Sequence, residues 1–372
     1  MKGLAIREVW ESFDRKFNAS DTRKGRSVAN REFSSKINEL MEAKKLSFAD
    51  FSFKELWENL VVAQDLEEAY DSSGMPNIVA NLISKKIIDA YEDYPQNGLK
   101  LVQVVPSSLK EELVVGWTAL GQLSEVKEGD EYEENIPPDE KFVKIVHKKY
   151  GKLVSVTEEI IKFDQTQQFL TRCGYIGNRG AQFLDKTIMR GLIDADSNVY
   201  NKGQLYAGAS STGGTNGNAW TGTDTAIGSA GWEKAHFTLH ERTDEQSEPI
   251  WVAGDRPYLM CSPRKVPTAI KLRQGDYGNI GTANLDTNVA QNMFDIIENV
   301  YYASLTTTTQ WHYGSFKRQF QWDEIFPLQV FARSGQQSED GFKRDVIQQF
   351  KVRLYGGIGA TDYRFVNQMA GA

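Results

Sequence analysis

The sequence WTALGQLSEVKEGDEYEENIPPDEKFVKIVHKKYGKLVSV, residues 117–156, decides the fold, and it predicts a long β-hairpin that leads into a single long helix. Between residues 124 and 140 there are eight acidic residues and one lysine, whereas residues 141–152 contain five lysines and no acid. Charge that is segregated in this way cannot be buried in the hairpin's own core. We therefore expect the hairpin to lie on another surface.

The helix after the hairpin has its own sequence signature. Ser155 and Glu158 form the S-x-x-E pattern of a capping box, which predicts that the helix begins just after Ser155. Apolar residues at helical spacing continue for about ten turns. Four glycines on this helix each cost about 1 kcal/mol relative to alanine, so we expect another backbone to approach closely; a break near residues 174–180 is the alternative. These glycines are Gly174, Gly177, Gly180 and Gly191.

Composition limits the class of protein. The chain has 372 residues, 40% of them hydrophobic and 25% charged, which is typical of a globular protein with more than one domain. Its net charge of −7 argues against general nucleic-acid binding. Two cysteines predict a reducing compartment, and we find neither a membrane-spanning run nor an export signal.

Residues 1–75 predict a helical arm. Apolar residues recur at helical spacing on both sides of a polar, basic stretch, and residues 1–31 carry an excess of four positive charges. We expect the arm to pack on neighbouring subunits, although a helical layer over the chain's own core is an equal alternative. The apolar packing residues would be Trp10, Phe13, Phe17 and Trp57, and the basic residues Arg15, Lys16, Arg23, Lys24 and Arg26.

The other segments predict a mixture of helices and strands. A helix is expected at 81–94, and a glycine-rich loop is expected at 201–231. A second helix should follow at 232–241. The remaining elements predicted are a strand at PYLMCS (257–262), a helix at PRKVPTAIKLRQ (263–274), a strand at FDIIENVYYASL (294–305) and a strand in which Phe350, Val352 and Leu354 face the core.

This order of parts resembles the major capsid proteins of tailed phages, as do the segments FSFKELWENLV, KKYGKLVSVTEEIIKFD and YGGIGATDYRFV. The resemblance implies an α+β chain with the HK97-like capsid fold. It also implies these divisions: an N-terminal helical arm at 1–75, the start of a peripheral domain at 76–115, an extended hairpin loop at 116–156, the spine helix and glycine-rich loop of the peripheral domain at 157–230, an axial domain at 231–333, and C-terminal return strands of the peripheral domain at 334–372.

No catalytic constellation is found in the sequence, and we predict no enzyme activity, no cofactor and no metal site. His236 and His240 lie one helical turn apart, but a packed or solvated pair is expected because the glutamate of a zinc-protease motif is missing. The run Gly356–Gly359 matches neither dinucleotide nor phosphate-loop motifs. Cys173 is expected to be a small core residue.

The contacts expected between subunits are electrostatic. The acidic tip of the hairpin should meet a basic surface on a neighbour, although solvated charge runs are the alternative. The tip residues are Glu125, Glu128, Asp130, Glu131, Glu133 and Glu134, and the basic return arm carries Lys144, Lys148, Lys149 and Lys152.

The resemblance implies a subunit that self-assembles as hexamers and pentamers into an icosahedral shell. The partners implied are portal, scaffolding and decoration proteins, with packaged double-stranded DNA bound without sequence specificity and no membrane. The subunit would be assembled in the host cytoplasm and located in the virion. Scaffolding is expected to be a separate protein, because large-scale cleavage of this chain is not expected. The alternatives are an encapsulin-like compartment shell and an intracellular α+β enzyme with a site in the 203–231 loop.

Overall fold

Helices and strands are mixed along the whole computed structural model. It describes residues 32, 35, 74–116, 125–129, 131–132, 142–157, 159–160, 166–196, 199–200, 205–207, 217–243, 249–250, 256–275, 288, 290–304, 309–334, 343 and 345–371.

The helices and strands are numbered in chain order. The helices are α1 (Gly74–Glu92), α2 (Thr166–Leu192), α3 (Ser229–His240), α4 (Val266–Gln274) and α5 (Phe316–Gln319). The strands are β1 (Gln103–Pro106), β2 (Glu111–Val115), β3 (Phe142–Val146), β4 (Lys148–Thr157), β5 (Ala219–Trp220), β6 (Tyr258–Cys261), β7 (Asp295–Glu298), β8 (Trp311–Gly314), β9 (Phe320–Ser334), β10 (Val346–Ala360) and β11 (Val366–Met369). Short 3-10 turns lie at Gly98–Leu101, Thr223–Thr225, Pro263–Lys265 and Val300–Ser304.

Three sheets contain these strands. One has the order β1-β9-β10-β4, with β1 parallel to β9, and a second has the order β5-β11-β8-β6-β7. The third is the antiparallel pair β2-β3. This mixture of helices and sheets confirms the predicted α+β class.

The described chain divides into two compact units. The first unit consists of residues 74–95, 150–181 and 328–354. Its helix α1 ends at Glu92, shortly before Pro95, because proline disfavours helical backbone in the residue that precedes it. An added Cβ at Gly177 would lie only 2.2 Å from the carbonyl oxygen of Ile87. The backbone of α1 therefore approaches α2 at this glycine, as the sequence predicted.

The other glycines of α2 have different surroundings. Among the described residues, an added Cβ at Gly174 would meet only Cε of Lys86, at 3.6 Å, so no described backbone approaches there. At Gly191, in the second unit, the nearest atoms belong to the side chain of Ile358. The helix continues without a break through residues 174–180, which excludes the alternative of an interruption there.

The second unit consists of residues 96–149, 182–327 and 355–371. Its five-stranded sheet packs against α3 and α4 around a core that includes Trp232, Leu259, Trp311 and Tyr313. Buried polar groups link the sheet to α3 and to the residues just after it. Asn367 donates to the carbonyl oxygen of Ala235 at 3.0 Å and accepts from Arg242 at 2.7 Å. Burial lowers the pKa of Arg242 to about 10.

Several element boundaries differ from the predicted ones. Ser155 lies inside β4 rather than at a helix N-terminus, and helical backbone is first described at residues 159–160. The strand predicted at 294–305 ends at Glu298 and continues as a 3-10 turn. The strands also pair in ways that the sequence did not indicate. Strand β9 pairs with β1 and β10, and β11 pairs with β5 and β8.

Among the described residues, no helix is both long enough and apolar enough to cross a membrane.

The predicted alternation on β10 is confirmed, because Phe350, Val352 and Leu354 are buried whereas Lys351 is exposed.

Candidate assembly interface

The base of the long hairpin is the ladder between β2 and β3. Its register pairs Glu111 with Val146, Leu113 with Lys144 and Val115 with Phe142. Because side chains alternate between the two faces of a strand, the ladder has one buried face and one outer face. Val143 and Ile145 are each 1% exposed on the buried face, whereas Leu113 on the outer face is 67% exposed.

The outer face of the hairpin base combines apolar and charged groups. Lys144 forms an ion pair with Glu111, and each side chain is about half exposed. Such a pair contributes only about 0–1 kcal/mol to folding. Leu113 and Val146 remain exposed beside this ion pair. A half-apolar face on a two-stranded ladder has the composition of a surface that another chain can cover.

The hairpin tip is described at residues 125–129 and 131–132. Glu125, Glu128 and Glu131 are exposed, whereas Asp130, Glu133 and Glu134 lie outside the described residues. Tyr132, which the sequence analysis did not single out, is 87% exposed. Exposed tyrosines commonly anchor protein interfaces. The sequence signal for Tyr132 as a contact residue is the presence of an aromatic side chain in an otherwise acidic run.

The basic residues lie on two different strands. Lys144 is on β3, as expected for the hairpin's return arm, but Lys148, Lys149 and Lys152 are exposed on β4. Because β4 is an end strand of the four-stranded sheet, the prediction that these three lysines lie on the hairpin arm is wrong. No local pattern in residues 141–156 indicates that the chain changes sheet at His147. Leu153, also on β4, is 66% exposed.

The lysines of β4 have two possible roles. Lysines on an end strand prevent uncontrolled pairing with other strands. They also give a basic surface that an acidic partner can contact.

The N-terminal residues predicted to pack or to carry positive charge lie outside the described residues: Trp10, Phe13, Phe17, Trp57, Arg15, Lys16, Arg23, Lys24 and Arg26.

The histidine pair of α3 is packed. The ring of His236 stacks on Trp232 with the centroids 4.8 Å apart, and its Nδ1 lies 3.0 Å from the hydroxyl of Tyr313. His240 Nδ1 lies 2.8 Å from the carbonyl oxygen of His236. Burial and the neighbouring His240 lower the pKa of His236 to about 4. Cys173 is fully buried, which raises the pKa of its thiol to about 12 and confirms its predicted role in the core.

A buried histidine makes folding sensitive to acid. Burial lowers the pKa of His312 to about 3, below its usual value near 6.5. The folded state therefore favours the neutral ring, so the resulting stability is complete above about pH 6.5 and is lost as the pH falls towards 3. We expect the free energy of unfolding to fall less steeply below pH 6.5 in His312→Phe than in the original chain, by up to about 1.4 kcal/mol per pH unit. Urea unfolding of unassembled protein at pH 7, 6 and 5 measures both slopes; equal slopes would contradict the assignment.

A comparison with sequence models of known families identifies one family. A sequence model of the family described as "Phage capsid protein" matches residues 142–367, which is more than half of the 372-residue chain. The match begins at the first residue of β3 and ends within β11. No curated protein matches the chain.

The solved structures that match the chain are distant from it in sequence. A virus-like particle from Pyrococcus furiosus is 9% identical, with a TM-score of 0.46, and the match covers 78% of this chain and 99% of that one. The capsid of the cyanophage P-SCSP1u is 15% identical over 73% of this chain and 86% of its own, with a TM-score of 0.44. The procapsid of bacteriophage JBD30 is 12% identical over 81% and 76% of the two chains, again with a TM-score of 0.44.

Proposed function

The chain belongs to the phage capsid protein family, and from this premise we propose that it is the subunit of an icosahedral shell built from hexamers and pentamers. Its shell-forming role as a major capsid protein of a tailed phage follows from the family. The symmetry of the shell and its double-stranded DNA contents are part of our proposal. So are assembly in the host cytoplasm, a purely structural role without catalysis, and the participation of portal and scaffolding proteins.

The exposed groups of the hairpin support this proposal. The outer face of the hairpin base leaves Leu113 exposed, and the tip leaves Tyr132 exposed beside several carboxylates. Covering such side chains on a neighbouring subunit would gain about 25 cal/mol per Å² of apolar surface. The ladder between β2 and β3 provides a paired base from which the tip can reach a second subunit.

The two larger sheets suggest how the proposed domains correspond to the structure. We assign the four-stranded sheet and α2 to a peripheral domain. The five-stranded sheet with α3 and α4 is assigned to an axial domain around the centre of each capsomer. The net charge of −7 fits a container that does not hold its genome tightly to the wall, because phosphate binding requires positive charge.

Size-exclusion chromatography and negative-stain microscopy of the whole chain test the proposal, with the chain alone and with a candidate scaffolding protein. We expect closed shells, or rings of six and five subunits. A chain that remains monomeric in every condition would contradict the proposal.

Charge reversal on β4 should weaken assembly in a salt-dependent way. We expect Lys148→Glu with Lys149→Glu to reduce the yield of shells more at about 0.1 M salt than at about 1 M, because the screening length falls from about 10 Å to about 3 Å. Light scattering during assembly measures the yield. The matched control reverses two exposed lysines elsewhere, Lys186 and Lys271. An equal loss at both salt concentrations would indicate that packing, rather than charge, is disturbed.

A further inference from the structure

Three side chains from separate strands converge beneath the hairpin base. Glu112 is on β2, His147 directly follows β3, and Asp323 is on β9; all three belong to the second unit. Their ligand atoms lie within 4.8 Å of one another. The side chains of His147 and Asp323 are completely buried.

The protonation of His147 follows from its neighbours. Its Nδ1 lies 2.6 Å from the carbonyl oxygen of Leu109, which can only accept, so Nδ1 carries a hydrogen. Its Nε2 lies 3.1 Å from Oδ2 of Asp323. A neutral ring would therefore direct a lone pair at a carboxylate oxygen. This contact is favourable only if a proton or a metal cation lies between the two atoms.

The surroundings of Glu112 indicate whether a proton or a metal cation lies between His147 and Asp323. Oε2 of Glu112 is buried and has no hydrogen-bond partner among the described residues. A proton shared between His147 and Asp323 would still leave Oε2 of Glu112, a partly buried residue, without a hydrogen-bond partner among the described residues. A divalent cation bound to a neutral imidazole balances both carboxylates. We propose that Glu112, His147 and Asp323 bind a Zn²⁺ ion.

The donor set and the spacing of His147 and Asp323 fit this ion. Two ligand atoms bound to one tetrahedral Zn²⁺ at about 2.0–2.2 Å are roughly 3.3 Å apart, close to the 3.1 Å between Nε2 and Oδ2. An imidazole ligand favours zinc over magnesium or calcium. The bond from Nδ1 to a backbone carbonyl is typical of zinc-binding histidines, because it fixes the ring and its tautomer. Gln321 donates to the other oxygen of Asp323 at 2.5 Å and holds that carboxylate in place.

Glycines of β10 make room for this arrangement. An added Cβ at Gly356 would lie 2.6 Å from the carbonyl oxygen of Asp323. At Gly357 it would lie 2.7 Å from the carbonyl oxygen of Val146 and 3.0 Å from the ring of His147. The glycine run that matched no phosphate motif thus lets β9 and the hairpin base pack closely against β10. The ion would join β2, the β3–β4 junction and β9, and would fix the base of the hairpin.

Zinc titration of the whole unassembled chain tests the proposal. After treatment with a chelator and its removal, calorimetry with ZnCl₂ should show one ion bound per chain, and zinc should raise the melting temperature. We expect Glu112→Gln to weaken binding by more than about 10-fold, since loss of even an outer-shell partner costs about 10–100-fold. The matched control is Glu111→Gln, because Glu111 is the adjacent residue on the outer face and pairs with Lys144. It should bind zinc as the original chain does.

Cobalt provides a second readout. Co²⁺ bound in place of zinc should give visible absorption bands that are absent in His147→Gln. A chain that binds no zinc stoichiometrically would overturn the proposal. So would equal affinity in Glu112→Gln and Glu111→Gln, because the ion would then be bound elsewhere, for example at His236 and His240. Zinc stoichiometry is measured on the original chain, so it tests the proposal even if a variant fails to fold.

Discussion

A chain that lacks residues 124–140 should fold normally and should form no closed shells. Glu125, Glu128, Glu131 and Tyr132 are exposed, so removing the tip takes no described residue from the core. The ladder between β2 and β3 retains its buried Val143 and Ile145. The free energy of unfolding should therefore change by less than about 1 kcal/mol, as for most surface changes. Assembly should fail because the apolar and acidic contacts with neighbours are lost.

Chromatography and negative-stain microscopy measure the outcome of this deletion, and urea unfolding checks the fold. A full-length control in which Glu125, Glu128 and Glu131 become glutamine separates charge from length. If charge carries the contact, this variant should assemble less at low salt; if Tyr132 and the length of the loop carry it, the variant should assemble normally. Normal shells from the deletion itself would remove the hairpin tip from the assembly mechanism.

Gly177→Ala should destabilise the protein, whereas Gly174→Ala should stabilise it. The methyl group at 177 would lie 2.2 Å from the carbonyl oxygen of Ile87, so α1 has to move away. We expect a net loss of about 1–3 kcal/mol, the usual cost of overpacking. At 174 the methyl group would contact only the flexible end of Lys86 among the described residues, and the gain in helix propensity is up to about 1 kcal/mol.

Thermal unfolding of the two unassembled variants measures these effects. The substitutions are identical, and both lie on α2 one turn apart, so differences in helix propensity cancel in the comparison. Shifts of the melting temperature in the same direction would mean that the approach of Ile87 to Gly177 does not constrain the packing of α1.

The sequence predicted elements whose signals are local. The close approach at Gly177 could be inferred because a glycine inside a helix is costly unless space is needed. The helix that follows Pro263 was also predicted closely, because proline is favoured in a first helical turn. The alternation from Phe350 to Leu354 identified a half-buried strand for the same kind of reason.

Other features depend on pairing between distant residues. Lys148, Lys149 and Lys152 continue the composition of β3, but they belong to another sheet because the chain changes its partner at His147. His147 and Asp323 are 176 positions apart, so no spacing in the sequence could have connected them. Tyr132 was overlooked because an acidic run suggested charge as the main property of the tip.

The order of the five-stranded sheet has a consequence for synthesis on the ribosome. Strand β11 lies between β5 and β8, although it is the last of the five to be translated. A nascent chain that has emerged only as far as β8 therefore lacks the partner that joins residues 219–220 to residues 311–314. Asn367, which ties this strand to α3, is also missing until then. Translation through Met369 must therefore precede closure of the sheet.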